Sequence, residues 1–262
     1  MPRQRAHAPT SAPLLIAHRG LSSRAPENTL AAVTAAADAG LTWVEVDVDL
    51  LGDGTPVLIH DSTLDRTTDR SGRYDDLAAA DLATIDAGSW FDRRFAGERI
   101  PTLAGLVALM NARGINADIE IKATDLGAAA TDRLVAAVAA ELHGLEPGRE
   151  LVVSSFSQLL LARFHAVAPW ATTAVLYERA ALYDDWPSVL EMCGADHVHV
   201  EDAGLTRREV DRFRDAGYGV TAWTVNDVAR AEQLLGWGAG VVSDVADQVL
   251  AATRSASAGS AR

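Results

Sequence analysis

Short Val- and Ile-rich runs alternate with longer Ala- and Leu-rich stretches along most of the chain, and this rhythm constrains the fold more than any other feature. From Ile100 it is regular. A helix over about 103–113 leads into NADIEIK, and an Ala-rich helix over about 125–143 stops at Gly144. ELVVSSF, TTAVLY, HVHV, GVTAWTV and GAGVVSD then read as strands with helices between them. Thr206 and Glu209 stand in capping-box spacing, and Asn226 or Asp227 opens the next helix. Near the start, LLIAHRG precedes a helix with Ser23 or a neighbour as cap, Pro26 and Glu27 in its first turn and Gly40 as its stop. With an acidic strand near residue 45, eight strands are each followed by a helix or an irregular segment. Strands separated by helices pair in parallel, and eight such units close into a barrel. The expected fold is therefore α/β, a (β/α)8 TIM barrel over residues 13–253 of the 262-residue chain. Residues 1–12 and the Ser/Ala/Gly-rich tail 254–262 are expected to be disordered.

In TWVEVDVDL, Val44, Val46 and Val48 alternate with Glu45, Asp47 and Asp49, so a strand's period of two puts the three carboxylates on one face. Strict alternation ordinarily marks a strand with one face in water. Three adjacent acids repel one another, however, unless a cation lies between them. Both readings stand on this strand alone. After a short turn at Gly52 to Thr55, PVLIH is a second apolar run that stops at a titratable side chain, His60, as LLIAHRG stops at His18.

In such a barrel the working residues sit at the C-terminal ends of the strands. Collected there are His18 and Arg19, Glu45 and Asp47, His60, Glu120 and Lys122, Ser155 and Phe156, Trp223, and Asp244. Glu45, Asp47 and Glu120 form an all-oxygen set, which favours Mg²⁺ or Ca²⁺ over zinc. Arg19 and Lys122 supply the positive charge that a phosphate requires, and the histidines titrate nearest neutrality, as acid and base must. Trp223 reads as core packing or as the wall of a substrate pocket, and Asp244 as a simple helix cap. His197 and His199 read as structural or surface residues. The polar segment 62–99, irregular apart from a short helix near Leu77 to Ile85, is expected to form a lid over the mouth.

Charge narrows the partners. A formal net charge of −13 disfavours nucleic acid and stable association with anionic membranes. A small molecule is left as the partner, and assembly into a homo-oligomer is left open. The lone Cys193 excludes an internal disulfide and points weakly to the cytoplasm. The basic N-terminus lacks an apolar signal-peptide core, and no stretch is long enough to span a bilayer.

The motifs IAHRG, PENTL, EVDVDL, DGTPVLIHDSTLDRTTD, FAGERIPTL, IEIK, VVSSFS, AWTVND and VSD occur in this order across nearly the whole domain. On these the chain resembles the glycerophosphodiester phosphodiesterases. The resemblance implies a TIM barrel, a divalent metal ion held by Glu45, Asp47 and Glu120, and His18 and His60 as the acid/base pair. It also implies that Arg19 and Lys122 bind phosphate and that the segment after His60 is the family's insertion over the mouth. The implied activity is hydrolysis of glycerophosphodiesters such as glycerophosphocholine or glycerophosphoethanolamine to glycerol 3-phosphate and an alcohol. Leu51-Gly52-Asp53-Gly54 and Ser243-Asp244-Val245-Ala246 depart from the family's usual loops without touching these residues. Lysophospholipase D-like cleavage is a close alternative. A non-catalytic phosphodiester-binding barrel would be expected to have lost one of the five central residues, and all five are present. A metal amidohydrolase fits poorly, because His18 is followed by Arg-Gly rather than standing in His-x-His.

Overall fold

A computed structural model describes residues 15–124 and 126–259. The expected alternation of strand and helix is present, beginning with β1 (Leu15–Ala17), α1 (Leu30–Asp38), β2 (Trp43–Leu50) and β3 (Pro56–Leu58). It continues through α2 (Leu103–Arg113), β4 (Asn116–Ile121), α3 (Ala128–Leu142), β5 (Leu151–Ser155), α4 (Gln158–Val167) and β6 (Thr172–Tyr177). Then follow α5 (Trp186–Cys193), β7 (His197–Glu201), α6 (Arg207–Asp215), β8 (Gly219–Trp223), α7 (Val228–Gly236), β9 (Gly240–Ser243) and α8 (Ala246–Gly259). Eight of the strands run parallel, and β1 pairs with both β2 and β9, which closes the sheet into a barrel.

The ninth strand, β3, departs from the sequence expectation. PVLIH is not a rung of the barrel: β3 runs antiparallel to β2 as a hairpin, with Leu50 opposite Pro56 and Val48 opposite Leu58. The chain therefore returns toward the mouth from above, Ile59 N–H donates to the Asp47 carbonyl at 3.1 Å, and His60 arrives beside the acidic strand. A two-residue-period strand joined by a tight turn has no other short way back.

Alternation decides what faces where. Val44, Val46 and Val48 point outward into a core shared with Leu103, Leu106 and Met110. Glu45 and Asp47 point into the barrel. Beneath them Ile16, Trp43, Val152, Ala174 and Val242 fill the barrel's lower interior as an apolar plug. The plug makes the polar layer above it a floor rather than a channel.

Two element boundaries differ from expectation. Helix α1 is capped by Thr29, whose hydroxyl accepts from Ala32 N–H, and not by Ser23. Asn28 has φ 55°, outside the helical region, so Pro26 and Glu27 lie in the loop before the helix. Helix α8 runs to Gly259, well into the segment expected to be a disordered tail. The expectation for residues 1–12 lies outside the described residues. Thr206 and Glu209 form the expected capping box at α6, and Asp227 caps α7.

The insertion 62–99 holds two 3₁₀ turns, Ala79–Thr84 and Arg93–Phe95. Its Leu64, Tyr74, Leu82 and Ile85 bury the hairpin's Leu51, Val57 and Ile59 in a small core of their own. It thus packs on the hairpin that carries His60.

Candidate active site at the barrel mouth

Each histidine is fixed through one ring nitrogen. His18 Nδ1–H donates to Asp244 Oδ1 at 2.6 Å, and His60 Nδ1–H donates to Asp61 Oδ1 at 2.7 Å. In both rings the pairing leaves Nε2 as the nitrogen available for proton transfer. Asp244 also accepts from Ser22 Oγ at 2.9 Å and from Asn226 Nδ2 at 2.6 Å, so it is a partner of His18 and more than a helix cap. Despite partial burial, these bonds hold its carboxyl down at about 2. Arg66 grips Asp61 and is bidentate to Glu27, and with the His60 bond this holds the Asp61 carboxyl far below the usual range. Burial pushes the His60 imidazole below its ordinary value, partly offset by Asp47 and Asp61.

The three predicted ligands converge. Glu45, Asp47 and Glu120 have one carboxylate oxygen each within 4.8 Å of one another, and among the described residues they are the one group of three or more such donors. In-register pairing of β2 with β4 sets Asp47 beside Glu120. Burial first, and then repulsion from Asp47 and Glu120, push the Glu45 carboxyl well above its ordinary value; burial and Asp47 raise Glu120 to about 7. Burial would raise Asp47 too, but Lys122 and Arg19 outweigh it and hold that carboxyl low. Lys122 Nζ lies 2.7 Å from Glu120 Oε1 and 3.2 Å from Asp47 Oδ1, and Arg19 Nε lies 3.4 Å from Asp47 Oδ2. Two cations shared among two buried acids and a partly buried third leave part of the repulsion unanswered. The donor set and its electrostatics therefore fit a hard divalent ion.

The loop after β1 supports this cluster through its backbone. Arg19 has φ 54°, and its N–H donates to Glu45 Oε2 at 2.9 Å, so a left-handed residue aims an amide at the acid. Gly20 follows at φ 76°, where a Cβ would come within 2.6 Å of the Ala32 side chain, so only glycine lets this turn press against α1. Asn28, inside the PENTL motif, makes a reciprocal pair with Asp47: its Nδ2 donates to Oδ2 at 2.8 Å and its Oδ1 accepts from the Asp47 backbone at 3.0 Å. Glu27 accepts from Arg19 Nη1 at 2.7 Å. Neither residue stands at a strand's end, so collecting strand ends does not find them. Their signal is polar side chains just ahead of a helix start.

A cavity of about 280 Å³ opens at the mouth, lined by both histidines, Arg19, Lys122, Glu45, Glu120 and Trp223, whereas Asp47 lies behind Glu45 and Glu120 at 1 % exposure. Trp223 forms part of its wall, edge-to-face with Phe156 at 5.4 Å. Ser155 does not face it: that hydroxyl donates to the Ile121 carbonyl at 2.7 Å, and its neighbour Ser154 lines the cavity instead. His197 and His199 are buried rather than on the surface, and His199 also lines the cavity. No residue between 61 and 99 lines it.

Residues 18–248 match the model of the glycerophosphoryl diester phosphodiesterase family. The chain is 33 % identical over 233 residues to a glycerophosphodiester phosphodiesterase of Caldanaerobacter subterraneus, covering 88 % of this chain and 93 % of that one. It superposes with a TM-score of 0.88 and 33 % identity on an Oleispira antarctica phosphodiesterase solved with its product sn-glycerol-3-phosphate, over 93 % and 97 % of the two chains. A glycerophosphodiester phosphodiesterase of Agrobacterium tumefaciens superposes with a TM-score of 0.75 at 27 % identity, over 92 % and 99 %.

Proposed function

The chain belongs to the glycerophosphoryl diester phosphodiesterase family, whose reaction is glycerophosphodiester hydrolysis, and from that we propose a metal-dependent route through the residues at the mouth. The substrates are glycerophosphodiesters of small alcohols, such as glycerophosphocholine and glycerophosphoethanolamine, and the products are glycerol 3-phosphate and the alcohol. The observation that carries this reading is two carboxylate-anchored histidines on one cavity with an acidic trio and two cations.

Glu45, Asp47 and Glu120 would hold the cation, Mg²⁺ or Ca²⁺, which when bound polarises a phosphoryl oxygen and orders the glycerol hydroxyls. Arg19 and Lys122 bind the remaining phosphoryl charge, and Trp223 walls the pocket. One histidine removes the proton from the glycerol 2-hydroxyl as that oxygen attacks phosphorus. The other protonates the departing alcohol oxygen as its bond to phosphorus breaks. The result is a cyclic phosphate, which water opens in a second step to glycerol 3-phosphate. Attack by a hydroxyl already adjacent to the phosphate gains proximity that free water lacks, up to about 7–11 kcal/mol in well-oriented cases. Among the described residues no helix is long and apolar enough to cross a membrane. The buried, unpaired Cys193 is compatible with action in the cytoplasm.

Turnover of glycerophosphocholine with and without EDTA tests the reading. Chelation is expected to abolish activity and Mg²⁺ or Ca²⁺ to restore it, with His18→Ala and His60→Ala near-dead. Full turnover after chelation would remove the metal from the scheme. A lysophospholipid substrate is the second reading, favoured by Phe156 and Leu159, which are 40 % and 80 % exposed on the loop and helix start that follow β5. Product analysis with both substrate classes separates the two.

A further inference from the structure

The insertion keeps clear of the cavity, yet one of its side chains reaches toward both sides of the mouth. Arg66 commits all three guanidinium nitrogens to two carboxylates. Nη1 and Nη2 donate to the two oxygens of Glu27 at 2.7 Å each, Nε donates to Asp61 Oδ2 at 2.6 Å, and Nη2 donates also to Asp61 Oδ1 at 3.0 Å. Each carboxylate is shared in turn. Glu27 Oε1 accepts from Arg19 Nη1 at 2.7 Å, and Asp61 Oδ1 accepts from His60 Nδ1–H at 2.7 Å. Arg19, Glu27, Arg66, Asp61 and His60 thus form one unbroken row of hydrogen bonds. Its two ends line the cavity, whereas Glu27, Arg66 and Asp61 do not.

The row joins three segments that are separate in the chain: the loop after β1, the end of the hairpin, and the insertion. An isolated exposed ion pair would fix little. The Arg66 side chain is 45 % exposed, but the Glu27 carboxylate on which it closes is only 13 % exposed, and a two-pronged contact fixes direction as well as distance. Burial would raise the Glu27 carboxyl, but Arg66 and Arg19 outweigh it and hold that acid ionised. Lysine is no substitute for Arg66, because an ammonium donates from one point whereas the guanidinium fork spans both acids.

We propose that Arg66 and Glu27 are positioning residues, a brace by which the insertion holds the Arg19 guanidinium and the His60 ring in one fixed relation. This rests on the roles proposed above for Arg19 and His60. The insertion then serves the reaction without covering the mouth: a displacement of the phosphate grip is carried to the proton-transfer group, and the reverse. Such control matters because a misplacement of about 1 Å can cost about a hundredfold in rate.

Arg66→Met and Arg66→Lys test the brace, with Mg²⁺ present throughout. Turnover of glycerophosphocholine reads the His60 end, and calorimetric affinity for glycerol 3-phosphate reads the Arg19 end. Arg66→Met is expected to lower kcat at least about tenfold and to weaken glycerol 3-phosphate several-fold, with a Tm close to that of the wild type. Arg66→Lys, which keeps the charge, is expected to recover neither in full. Loss at one end alone would make Arg66 a local support and overturn the coupling. Unchanged kinetics would overturn it as well, and so would full recovery by lysine, which would mean that charge without the fork is enough. Should Arg66→Met fold poorly, Arg66→Lys carries the comparison through whether both readings fall together. Failure of the phosphodiesterase reading would show in the wild type, as absence of glycerophosphodiester turnover.

Discussion

A histidine ring serves proton transfer best when one nitrogen is tied down, and here the tie differs between the two. Asp61 is the next residue after His60, whereas Asp244 comes from the opposite end of the chain. Replacing either by Asn is expected to lower kcat by at least about tenfold, since a well-placed acid or base contributes about 10²–10⁴-fold. The pH profile gives the sign. Asp61 raises the His60 value against the lowering by burial, so in Asp61→Asn the limb of the kcat/KM profile that reports His60 moves to lower pH, whether that ring acts as base or acid. An unmoved limb would separate Asp61 from the chemistry. At this scale the sequence was readable wherever period two applies: Glu45, Asp47, Glu120 and Lys122 follow from alternation. It was not readable where one residue's parity decides, so Ser155 stood in for Ser154, and His199 went unrecognised as an inward-facing partner of Asp118. Asn28 depends on a positive φ and on a partner 19 residues away, neither of which spacing reveals.

Among the elements, the hairpin and its insertion behave as one unit. The eight parallel strands were legible because apolar runs and helix caps repeat. The direction of β3 was not, because an apolar run ending in His looks the same whether it climbs to the mouth or comes back to it. What holds His60 in place is therefore the insertion's small core and the Arg66 contacts to Glu27 and Asp61. Ile85 is fully buried in that core. Ile85→Ala is expected to destabilise this unit by about 2–5 kcal/mol. Hydrogen exchange should speed up across residues 57–100 while the β4–β7 strands keep their protection, and kcat should fall with His60 less firmly held. Uniform loss of protection around the whole barrel would show that the insertion is not a separate cooperative unit.

For the whole molecule, the acidic trio ties stability to pH and to cations. Glu120 titrates near 7 in the fold against an ordinary value of 4.5, and Glu45 is raised in the same sense. A carboxyl whose folded value is raised stays protonated while its unfolded counterpart ionises, so the folded state loses stability as pH climbs from about 4.5 through about 7. A divalent ion bound to the ionised trio reverses this. The rise in Tm on adding Mg²⁺ or Ca²⁺ is therefore expected to be clearly larger at about pH 8 than at about pH 5. An equal rise at both would place the ion away from these acids. Asp244 carries another consequence, one that concerns the order in which the protein is made. His18 is synthesised early, yet its carboxylate partner lies 226 residues later, just beyond the strand that seals the barrel against β1. A chain emerging from the ribosome holds the acidic trio, His60 and Asp61 long before it can complete the other half of the proposed acid/base pair. If His18 acts as proposed, competence for turnover arrives together with closure of the last seam, and a chain truncated before Asp244 is expected to be silent toward the substrate.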